Sequence, residues 1–321
     1  MNTDKSSNTK CPVCGQNGKY AYTGTDLLMG LPGEYDYSQC TACSTVFQSI
    51  MPSPEKIASF YPDDYSPYKP SKNKEKNPLE KAVLRTKYGY SHLRSKIPDW
   101  LGKAAGLFLY KDSTPFNNKG KLLDIGCGGG KYLRSMKDLG WDVEGVEFNS
   151  GAVQTCRDMG LKVHQGELID APLEENAFDV VTARHVIEHI PNPSSFVVEI
   201  FRILKPGGIM ILRTPNSMAL GRSWFGTNWF ANDVPRHLIL FSPKNLELLA
   251  KKAGFNQFKS ETFSSPKIVL NSWDYYAQNR GTPSKKRKLR RMLARVYVAA
   301  AAITNRGDEI FSIFIKPKDA E

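Results

Sequence analysis

The sequence predicts an α/β fold in which a mainly parallel sheet is covered by helices on both faces, preceded by a small cysteine-rich segment. Short apolar runs alternate with amphipathic helical stretches from Lys121 onward, a pattern typical of parallel sheets built from βα units. A glycine-rich turn follows the first of these runs, at residues 126–130. Four of the six cysteines lie within the first 43 residues. The 321 residues suffice for about two domains of ~150 residues each.

Composition places the chain among ordinary globular proteins. Hydrophobic residues make up 40% and charged residues 24%, which excludes a collagen-like or wholly disordered chain. Six cysteines are too few for a disulfide scaffold, no run approaches the ~20 apolar residues of a membrane span, and the polar N-terminus lacks the apolar core of a signal peptide. We therefore expect a cytoplasmic protein. The net charge of +12 favours an acidic partner, unless it serves only solubility.

The chain divides into five predicted parts. These are a disordered tail (1–10), a cysteine-rich segment (11–65), a linker rich in Pro, Lys and Asn (66–78), a helical segment broken by Pro98 and Gly102 (79–120), and the main α/β domain (121–321). Two long connections, 216–241 and 263–306, interrupt the alternation in the main domain. Connections of this length in a compact domain are usually functional.

Within the main domain, strands are predicted from short apolar runs and helices from amphipathic stretches that end at glycine or proline. The predicted strands are Lys121–Ile125, Trp141–Glu147, Leu161–Gln165, Phe178–Arg184, Ile209–Thr214, Phe255–Thr262 and Glu309–Ile315. The predicted helices are Lys131–Leu139, Ser150–Met159, Ser194–Leu204 and 243–254. The last of these begins at Ser242-Pro243, a serine N-cap followed by proline in the first turn.

Two C-x2-C pairs predict a zinc site on Cys11, Cys14, Cys40 and Cys43. Zn²⁺ prefers four tetrahedral ligands, thiolates suit it, and a two-residue spacer lets both sulfurs of a pair face one ion. In a reducing compartment this spacing favours a metal over a disulfide. Four protein ligands leave no open coordination position, so the predicted zinc is structural. Metal binding would stabilise a segment too small to fold on its own core.

The glycine-rich turn predicts a cofactor-binding loop, because it follows a strand and opens a helix, and its glycines let the backbone approach a ligand closely. By itself such a turn is a weak indication. Its candidate cofactor-binding residues are Gly126, Cys127, Gly128 and Gly130.

Two acidic residues sharpen this prediction. Glu147 ends the second strand, 23 residues after Asp124, and can bind both hydroxyls of a ribose. Asp124, just before the turn, would repel a dinucleotide pyrophosphate but attract the amino group and sulfonium of S-adenosylmethionine. Glu167, after the third strand, is either an adenine contact or an ordinary surface residue.

The ordered motifs resemble those of the class I S-adenosylmethionine-dependent methyltransferases. They are Asp124-Ile-Gly126-Cys-Gly128-Gly-Gly130, Glu147, Phe178-Asp179-Val-Val, His185-Val-Ile-Glu188-His189-Ile-Pro-Asn-Pro and Leu204-Lys-Pro-Gly-Gly208. The subgroup it resembles most has an N-terminal zinc-binding segment and Val234-Pro-Arg236-His237-Leu after the fifth strand, and its members often modify sugars, polysaccharides or small natural products. The resemblance implies a Rossmann-like sheet, with Asp124 and the glycines at the cofactor and Glu147 on its ribose. Glu147 stands where Asp is commoner, and Glu167-Leu168 where Asp-Ala is usual.

Two histidines, His185 and His237, are candidate catalytic residues. His185 follows the fourth strand, at the carboxyl edge where ligands bind in open parallel sheets, and His189 is expected four residues later on the same short helix. We do not predict a metal on this pair, because no third ligand is evident. His237 can accept a proton from an acceptor hydroxyl or amine; the alternative for either candidate is a packed histidine that bonds the backbone.

The connection 216–241 is expected to close the acceptor pocket. It carries four large aromatic residues followed by Arg236. We expect Arg236 to hold an anionic group of the acceptor and Trp229 to line the pocket.

The run Lys285–Arg291 is cationic at six of its seven positions and leads into an apolar, alanine-rich stretch that ends at Ile303. Such a segment can lie on an anionic bilayer, bind nucleic-acid phosphates, or simply pack on the domain. The sequence thus predicts peripheral contact of 285–303 with an anionic membrane, at the inner membrane surface, as one option.

The predicted function is S-adenosylmethionine-dependent methyl transfer to a small or glycosylated metabolite, phosphorylated or not. One alternative is an RNA base methyltransferase with a zinc-ribbon RNA-binding segment, which the acidic Asp63 and Asp64 disfavour. Others are a non-catalytic zinc scaffold that retains the cofactor fold and a nicotinamide oxidoreductase, and the carboxylate of Asp124 disfavours the latter.

Overall fold

The structure is a computed structural model that describes residues 9–61, 75–107, 109, 113–116, 120–281 and 287–318. Most of the predicted tail and linker, as well as Lys285 and Lys286, lie outside the described residues. The described chain forms two compact units. One, the cysteine unit, contains described residues of Met1–Asp63, Ala183–Phe201 and Leu212–Glu321; the other, the glycine unit, contains described residues of Asp64–Thr182 and Arg202–Ile211.

The glycine unit is built from alternating strands and helices, preceded by two helices. Its elements are α2 (Pro78–Lys87), α3 (Asp99–Gly106), β4 (Lys121–Ile125), α4 (Lys131–Asp138), β5 (Asp142–Glu147), α5 (Ser150–Asp158), β6 (Lys162–Gln165), most of β7 (Phe178–Arg184) and the first part of β8 (Leu204–Pro215). Strand β4 pairs in parallel with β5, and β5 pairs in parallel with β6. Leu122 and Leu123, adjacent residues of β4, are both fully buried, as expected for a parallel strand covered on both faces.

The larger sheet has seven strands in the order β10-β11-β8-β7-β4-β5-β6. The chain therefore runs outward from β4 to β6 and then returns to β7 on the other side of β4. Such a reversal of strand order is the point where open α/β sheets bind ligands, outside the carboxyl ends of the strands. The predicted Rossmann-like α/β fold is confirmed.

The cysteine unit combines a small antiparallel sheet with the C-terminal elements. Before β7 it contains β1 (Gly18–Gly24), β2 (Tyr35–Cys40), β3 (Val46–Gln48) and α1 (Pro54–Ala58); after β7 it contains most of α6 (Pro193–Ile203), the end of β8, α7 (Leu220–Phe225), β9 (Ile239–Leu240), α8 (Pro243–Lys252), β10 (Gln257–Phe263), α9 (Pro266–Asn279), α10 (Arg287–Ile303) and β11 (Glu309–Ile315). The small sheet has the order β1-β2-β3-β9, so β9 completes a sheet whose first strand begins 221 residues earlier, at Gly18. Strands β10 and β11 form an antiparallel pair.

Two local expectations differ from the structure. Strand β8 begins at Leu204 rather than Ile209 and runs through the Pro206-Gly207-Gly208 turn signal. The connection 263–306 consists mainly of two helices, α9 and α10. None of the described helices is long and apolar enough to cross a bilayer.

The second difference concerns His185 and His189. The expectation that they share one short helix is wrong, because only a 3₁₀ turn, Ile187–His189, forms there. His185 precedes that turn with a φ of 57°, a left-handed conformation that is uncommon for a non-glycine residue. Its ring is therefore positioned by the end of β7 and not by helical periodicity.

Candidate functional site

The four N-terminal cysteines converge on one point. The sulfurs of Cys11 and Cys43 are 3.6 Å apart and those of Cys14 and Cys40 are 3.4 Å apart, and all four lie within 4.8 Å of one another. A tetrahedron of thiolates around zinc, with Zn–S bonds of about 2.3 Å, places the sulfurs about 3.8 Å apart. The residues therefore fit a structural Zn²⁺ ion, as predicted.

The loops that carry these cysteines also bond to both ends of one helix, α8. The amide of Asn245 in α8 donates to the carbonyl of Cys43 at 2.7 Å, and the Lys252 ammonium donates to the carbonyl of Val13 at 2.9 Å. Strand β3 pairs with β9 through Val46 opposite Leu240. Zinc binding is thus connected to the structure around residues 234–252.

The glycine loop of the glycine unit is fastened to the end of β5. Gly128 and Gly130 have φ values of 51° and 74°, which L side chains rarely adopt. A Cβ at Gly130 would also lie 2.8 Å from the sulfur of Cys156. The backbone N–H of Gly128 donates to one carboxylate oxygen of Glu147 at 2.8 Å, and Asn149 N–H donates to the other at 2.9 Å.

Asp124 and Glu147 lie at the carboxyl ends of adjacent strands, since Asp124 in β4 is opposite Gly145 in β5. They are only 4% and 3% exposed. Thr182 donates to Asp124 at 2.6 Å, while burial raises the pKa of Glu147 against three backbone N–H bonds, from Asn149, Gly128 and Phe148, that lower it. Two buried carboxylates beside a glycine loop form an acceptor-rich set that suits ribose hydroxyls and a cationic group. The acceptor chemistry of these two carboxylates therefore fits S-adenosylmethionine.

Three further residues that follow strands of this sheet, Cys127, Phe148 and Glu167, differ in exposure. Cys127 is buried, and a Cβ at Gly145 would lie 2.8 Å from its sulfur, so Cys127 packs against β5. Glu167 is exposed, in front of a 3₁₀ turn. Phe148, which sequence analysis did not single out, follows Glu147 directly and is 50% exposed; an aromatic residue after a predicted ribose ligand is the signal that could have identified it.

Arg236 lies in a buried ion-pair network inside the cysteine unit. It is 1% exposed, and its guanidinium makes a two-pronged contact with Asp26, with both distances at 2.8 Å. A further bond of 2.7 Å reaches Asp233. Desolvation opposes the charge, but the two carboxylates more than compensate and raise the pKa of Arg236 further. An anionic acceptor group would have to displace one of these carboxylates.

Trp229 is also enclosed, at 1% exposure. Its indole N–H donates to Asp308 at 3.0 Å, and its ring packs in a cluster with Ala294 and Tyr297. Trp229 is therefore a core residue whose orientation is fixed by its hydrogen bond to Asp308.

His237 and His189 form an edge-to-face pair with ring centroids 4.8 Å apart. The Nδ1 of His237 is 2.9 Å from the carbonyl of Ala231, and that of His189 is 2.8 Å from the carbonyl of Arg236. A carbonyl only accepts, so Nδ1 carries the proton in both rings and Nε2 is left as the basic atom. Burial, with a smaller contribution from the neighbouring His237 ring, lowers the pKa of His189 to about 4, which keeps His189 neutral at neutral pH.

His185 forms a second network. Its Nδ1 is 3.2 Å from Glu188 and its Nε2 is 2.9 Å from Glu309; Arg213 also pairs with Glu309 at 2.8 Å, and Thr214 donates to Glu188 at 2.8 Å. Desolvation disfavours the imidazolium, yet the two carboxylates raise the pKa of His185 to about 9. Desolvation likewise disfavours both carboxylates, but mainly His185 holds their pKa values at about 2. His185 is therefore a cation at neutral pH and is not free to accept a proton.

The ligand atoms of Glu188, His189 and His237 lie within 4.8 Å of one another. The sequence paired His185 with His189 as possible ligands, whereas the structure groups His189 with His237, which is 48 residues further along the chain. Both oxygens of Glu188 already contact His185 and Thr214. The cluster is thus satisfied as it stands, and we assign no ion to it.

A parallel α/β sheet with a glycine loop after its first strand and a buried acid at the end of the next defines a protein that binds a nucleoside cofactor. The family described as "Methyltransferase domain" matches residues 91–259, more than half of the 321 residues. The chain belongs to this family. The resemblance to class I S-adenosylmethionine-dependent methyltransferases is therefore confirmed.

Individual relatives match part of the chain. A ubiquinone biosynthesis O-methyltransferase of Maricaulis maris is 36% identical over 125 residues, which are 36% of this chain and 49% of that protein. One of Thiobacillus denitrificans is 31% identical over 150 residues, 42% of this chain and 63% of that protein. The matches thus span between about half and under two thirds of these relatives. A crystal structure of a SAM-dependent methyltransferase from Archaeoglobus fulgidus aligns with a TM-score of 0.46 at 20% identity and covers 63% of this chain and 88% of that chain.

Proposed function

We propose that this protein transfers a methyl group from S-adenosylmethionine to a hydroxyl group of a small-molecule acceptor. The observation that carries the proposal is the bond from the Gly128 N–H to Glu147, which joins a positive-φ glycine loop to a buried acid at the end of the neighbouring strand. Family membership and the O-methyltransferase names of the relatives support it.

In this proposal the glycine unit holds the cofactor. Glu147 accepts from the ribose hydroxyls, Asp124 attracts the cationic end, and the exposed ring of Phe148 offers a stacking face for the adenine. Glu167 is proposed as a further adenine contact. When bound, S-adenosylmethionine supplies an electrophilic methyl group on a good leaving group. The contribution of the chain is to bind and orient, which can provide most of the acceleration.

We propose His237 as the general base. Its Nε2 is the free basic atom, and Asp233 and Glu188 carboxylate oxygens lie 3.8 and 3.9 Å from it, where they would stabilise the imidazolium formed when a hydroxyl gives up its proton. His185, the other candidate, is already protonated between Glu188 and Glu309. We assign it a positioning role toward Glu188. A positioned base contributes about 10²- to 10⁴-fold in rate.

Arg236 and Trp229 are proposed to shape the acceptor side indirectly. The buried ion pairs of Arg236 fix the backbone next to His237. The Arg236 carbonyl accepts from Nδ1 of His189 and so fixes the tautomer of that ring. Because its guanidinium is used by Asp26 and Asp233, a neutral hydroxylated acceptor suits the site better than a phosphorylated one. A glycosylated acceptor is compatible with this chemistry.

The zinc segment favours a small acceptor over RNA. Its strand β3 pairs with β9, and its loops bond to Asn245 and Lys252. The segment is therefore an integral part of the cysteine unit. We propose a structural role for it, which also distinguishes the protein from a scaffold whose zinc module acts separately.

The proposal is tested by calorimetry followed by methyl-labelled turnover. Purified protein should bind S-adenosylmethionine and not a nicotinamide dinucleotide, and Asp124→Ala should weaken that binding about 10- to 150-fold, the value of one charge-assisted bond. Label should then pass to a hydroxyl-containing fraction of small metabolites. Label in RNA alone would establish the rival function, and nicotinamide binding would overturn the proposal.

A further inference from the structure

We propose that helix α10 docks the protein on an anionic lipid surface, through an exposed apolar stripe flanked by a cationic stripe. The lipid contact involves α10 alone and does not depend on the proposed methyl transfer. It uses the segment 285–303 that the sequence singled out, of which residues 287–303 form the helix. The apolar stripe consists of Leu289, Met292, Leu293 and Val296.

The apolar stripe follows the spacing i, i+3, i+4, i+7, which places its members along one face of the helix. Leu289, Met292, Leu293 and Val296 are 47%, 57%, 42% and 62% exposed. Ile303, two turns beyond Val296, is 86% exposed. A contiguous row of large apolar side chains in water marks an interaction surface.

A second face of α10, about 120° around the helix from the apolar stripe, fixes how α10 is rotated. Ala294, Tyr297 and Ala301 repeat at i, i+3, i+7 and are at most 1% exposed in a core cluster of the cysteine unit. The Tyr297 hydroxyl donates to Asp308 at 2.7 Å and accepts from the Gly221 N–H at 2.7 Å. Rolling the helix to bury the stripe would break both bonds, so the stripe stays in solvent.

A third stripe, Lys288, Arg291 and Arg295, again repeats at i, i+3, i+7 and is exposed. Residues 287–303 include five cationic and no acidic side chains. Arg290, by contrast, points to another helix and pairs with Asp274 at 3.2 Å. The exposed cations therefore lie beside the apolar stripe, not on the buried face.

This combination selects one partner among three. Nucleic-acid phosphates would use the cations but leave the apolar stripe in water. A second copy of the chain would cover the stripe but bring two cationic stripes together. An anionic bilayer satisfies both, because apolar side chains enter the acyl boundary while Lys and Arg meet the headgroups. Trp224, 58% exposed and edge-to-face with Tyr297 at 5.4 Å, is a residue type that favours such interfaces.

The experiment is co-sedimentation of the full-length protein with vesicles of phosphatidylcholine, with or without phosphatidylglycerol. We expect binding only to the anionic vesicles, weakening with added salt. The double variant Arg291→Gln with Arg295→Gln should lower partitioning about 25-fold, since each cation near an anionic surface contributes about fivefold. Met292→Ser with Val296→Ser should lower it about tenfold or more.

Matched controls remove the same chemistry elsewhere. Ile50→Ser with Val198→Ser replaces two apolar residues that are 83% and 54% exposed, and Lys103→Gln with Lys244→Gln removes two exposed cations; both should bind vesicles like the parent. Circular dichroism and thermal unfolding of every variant separate loss of docking from loss of fold.

Three results would overturn the proposal. The first is equal binding to both vesicle types. The second is that the Arg291/Arg295 variant loses vesicle binding while the Met292/Val296 variant binds like the parent. That result would indicate a purely electrostatic surface. The third is a lipid-free dimer in light scattering that Met292→Ser with Val296→Ser dissociates, which would identify a second copy as the partner.

Discussion

The phenol of Tyr37 donates a 2.8 Å hydrogen bond to the backbone carbonyl of His237. Tyr37 is fully buried in β2, between the two cysteine pairs in sequence. Gln48 adds a second bond of 2.8 Å, to the carbonyl of Pro235. The backbone of the proposed base is therefore held by the segment that binds zinc, although 200 residues separate Tyr37 from His237 in the chain.

Removing the zinc ligands should affect turnover more than cofactor binding. In the variant Cys11→Ser with Cys40→Ser, metal analysis should find one zinc fewer per chain, and turnover should fall at least tenfold because β2 and β3 no longer hold residues 235–237. Affinity for S-adenosylmethionine, measured by calorimetry, should change less than threefold. Unchanged turnover in the zinc-free variant would show that the segment folds without metal.

Glu147→Ala should weaken binding of S-adenosylmethionine about 10- to 150-fold, because charge-assisted bonds are worth about 1.5–3 kcal/mol. The control is Glu144→Gln in the same strand. Glu144 pairs with Lys121 and Lys162 at 2.7 and 2.8 Å, so its variant should lose stability but keep its affinity. Equal losses of affinity in both variants would point to general damage to β5.

His237→Ala should lower turnover about 10²-fold or more if its Nε2 accepts the acceptor's proton, with little change in cofactor affinity. His164→Ala is the control, since His164 contacts Glu144 at 3.0 Å on β6. A lower unfolding temperature with normal turnover in the folded fraction would instead identify His237 as a packing residue.

Asp26→Asn should destabilise the protein by about 3–5 kcal/mol, because it leaves Arg236 buried with one carboxylate fewer. The surface pair of Arg85 and Asp99 offers a contrast, and Asp99→Asn should cost about 0–1 kcal/mol. Urea unfolding followed by circular dichroism measures both. Arg236→Lys should behave like Asp26→Asn; a raised Michaelis constant at normal stability would instead support direct contact with an anionic acceptor.

Stability should depend on pH through His185. Its pKa in the folded protein is raised to about 9 from an ordinary value of about 6.5, so its contribution is fully present below pH ~6.5 and is lost as the pH rises through about 9. Relative to the parent, His185→Gln should cost about 1 kcal/mol at pH 5.5, a value reduced for the 43% exposure of the side chain. At pH 10 the two proteins should unfold at the same urea concentration; a constant difference across this range would contradict the charged state of His185.

The parts of the site that sequence predicts well are local ones. The loop around Gly128 and the acid at Glu147 follow from strand-turn-helix order, and the cysteine spacing brings the thiols to one point. What sequence misses is set by distant partners. Arg236 belongs to a motif expected at the acceptor, yet it is paired with Asp26 from the other end of the chain, and the charge of His185 depends on Glu309, 124 residues away.

Strand β9 completes the small sheet by pairing with β3, and this has a consequence for synthesis on the ribosome. The four cysteines have all emerged by residue 43, so metal can bind early, but β3 ends at Gln48 and its partner begins only at Ile239. At a synthesis rate of about 5–20 residues per second, the edge of β3 stays unpaired for roughly 10–40 s before β9 is made. During that interval the nascent chain presents an unpaired edge, and such edges invite pairing with other chains.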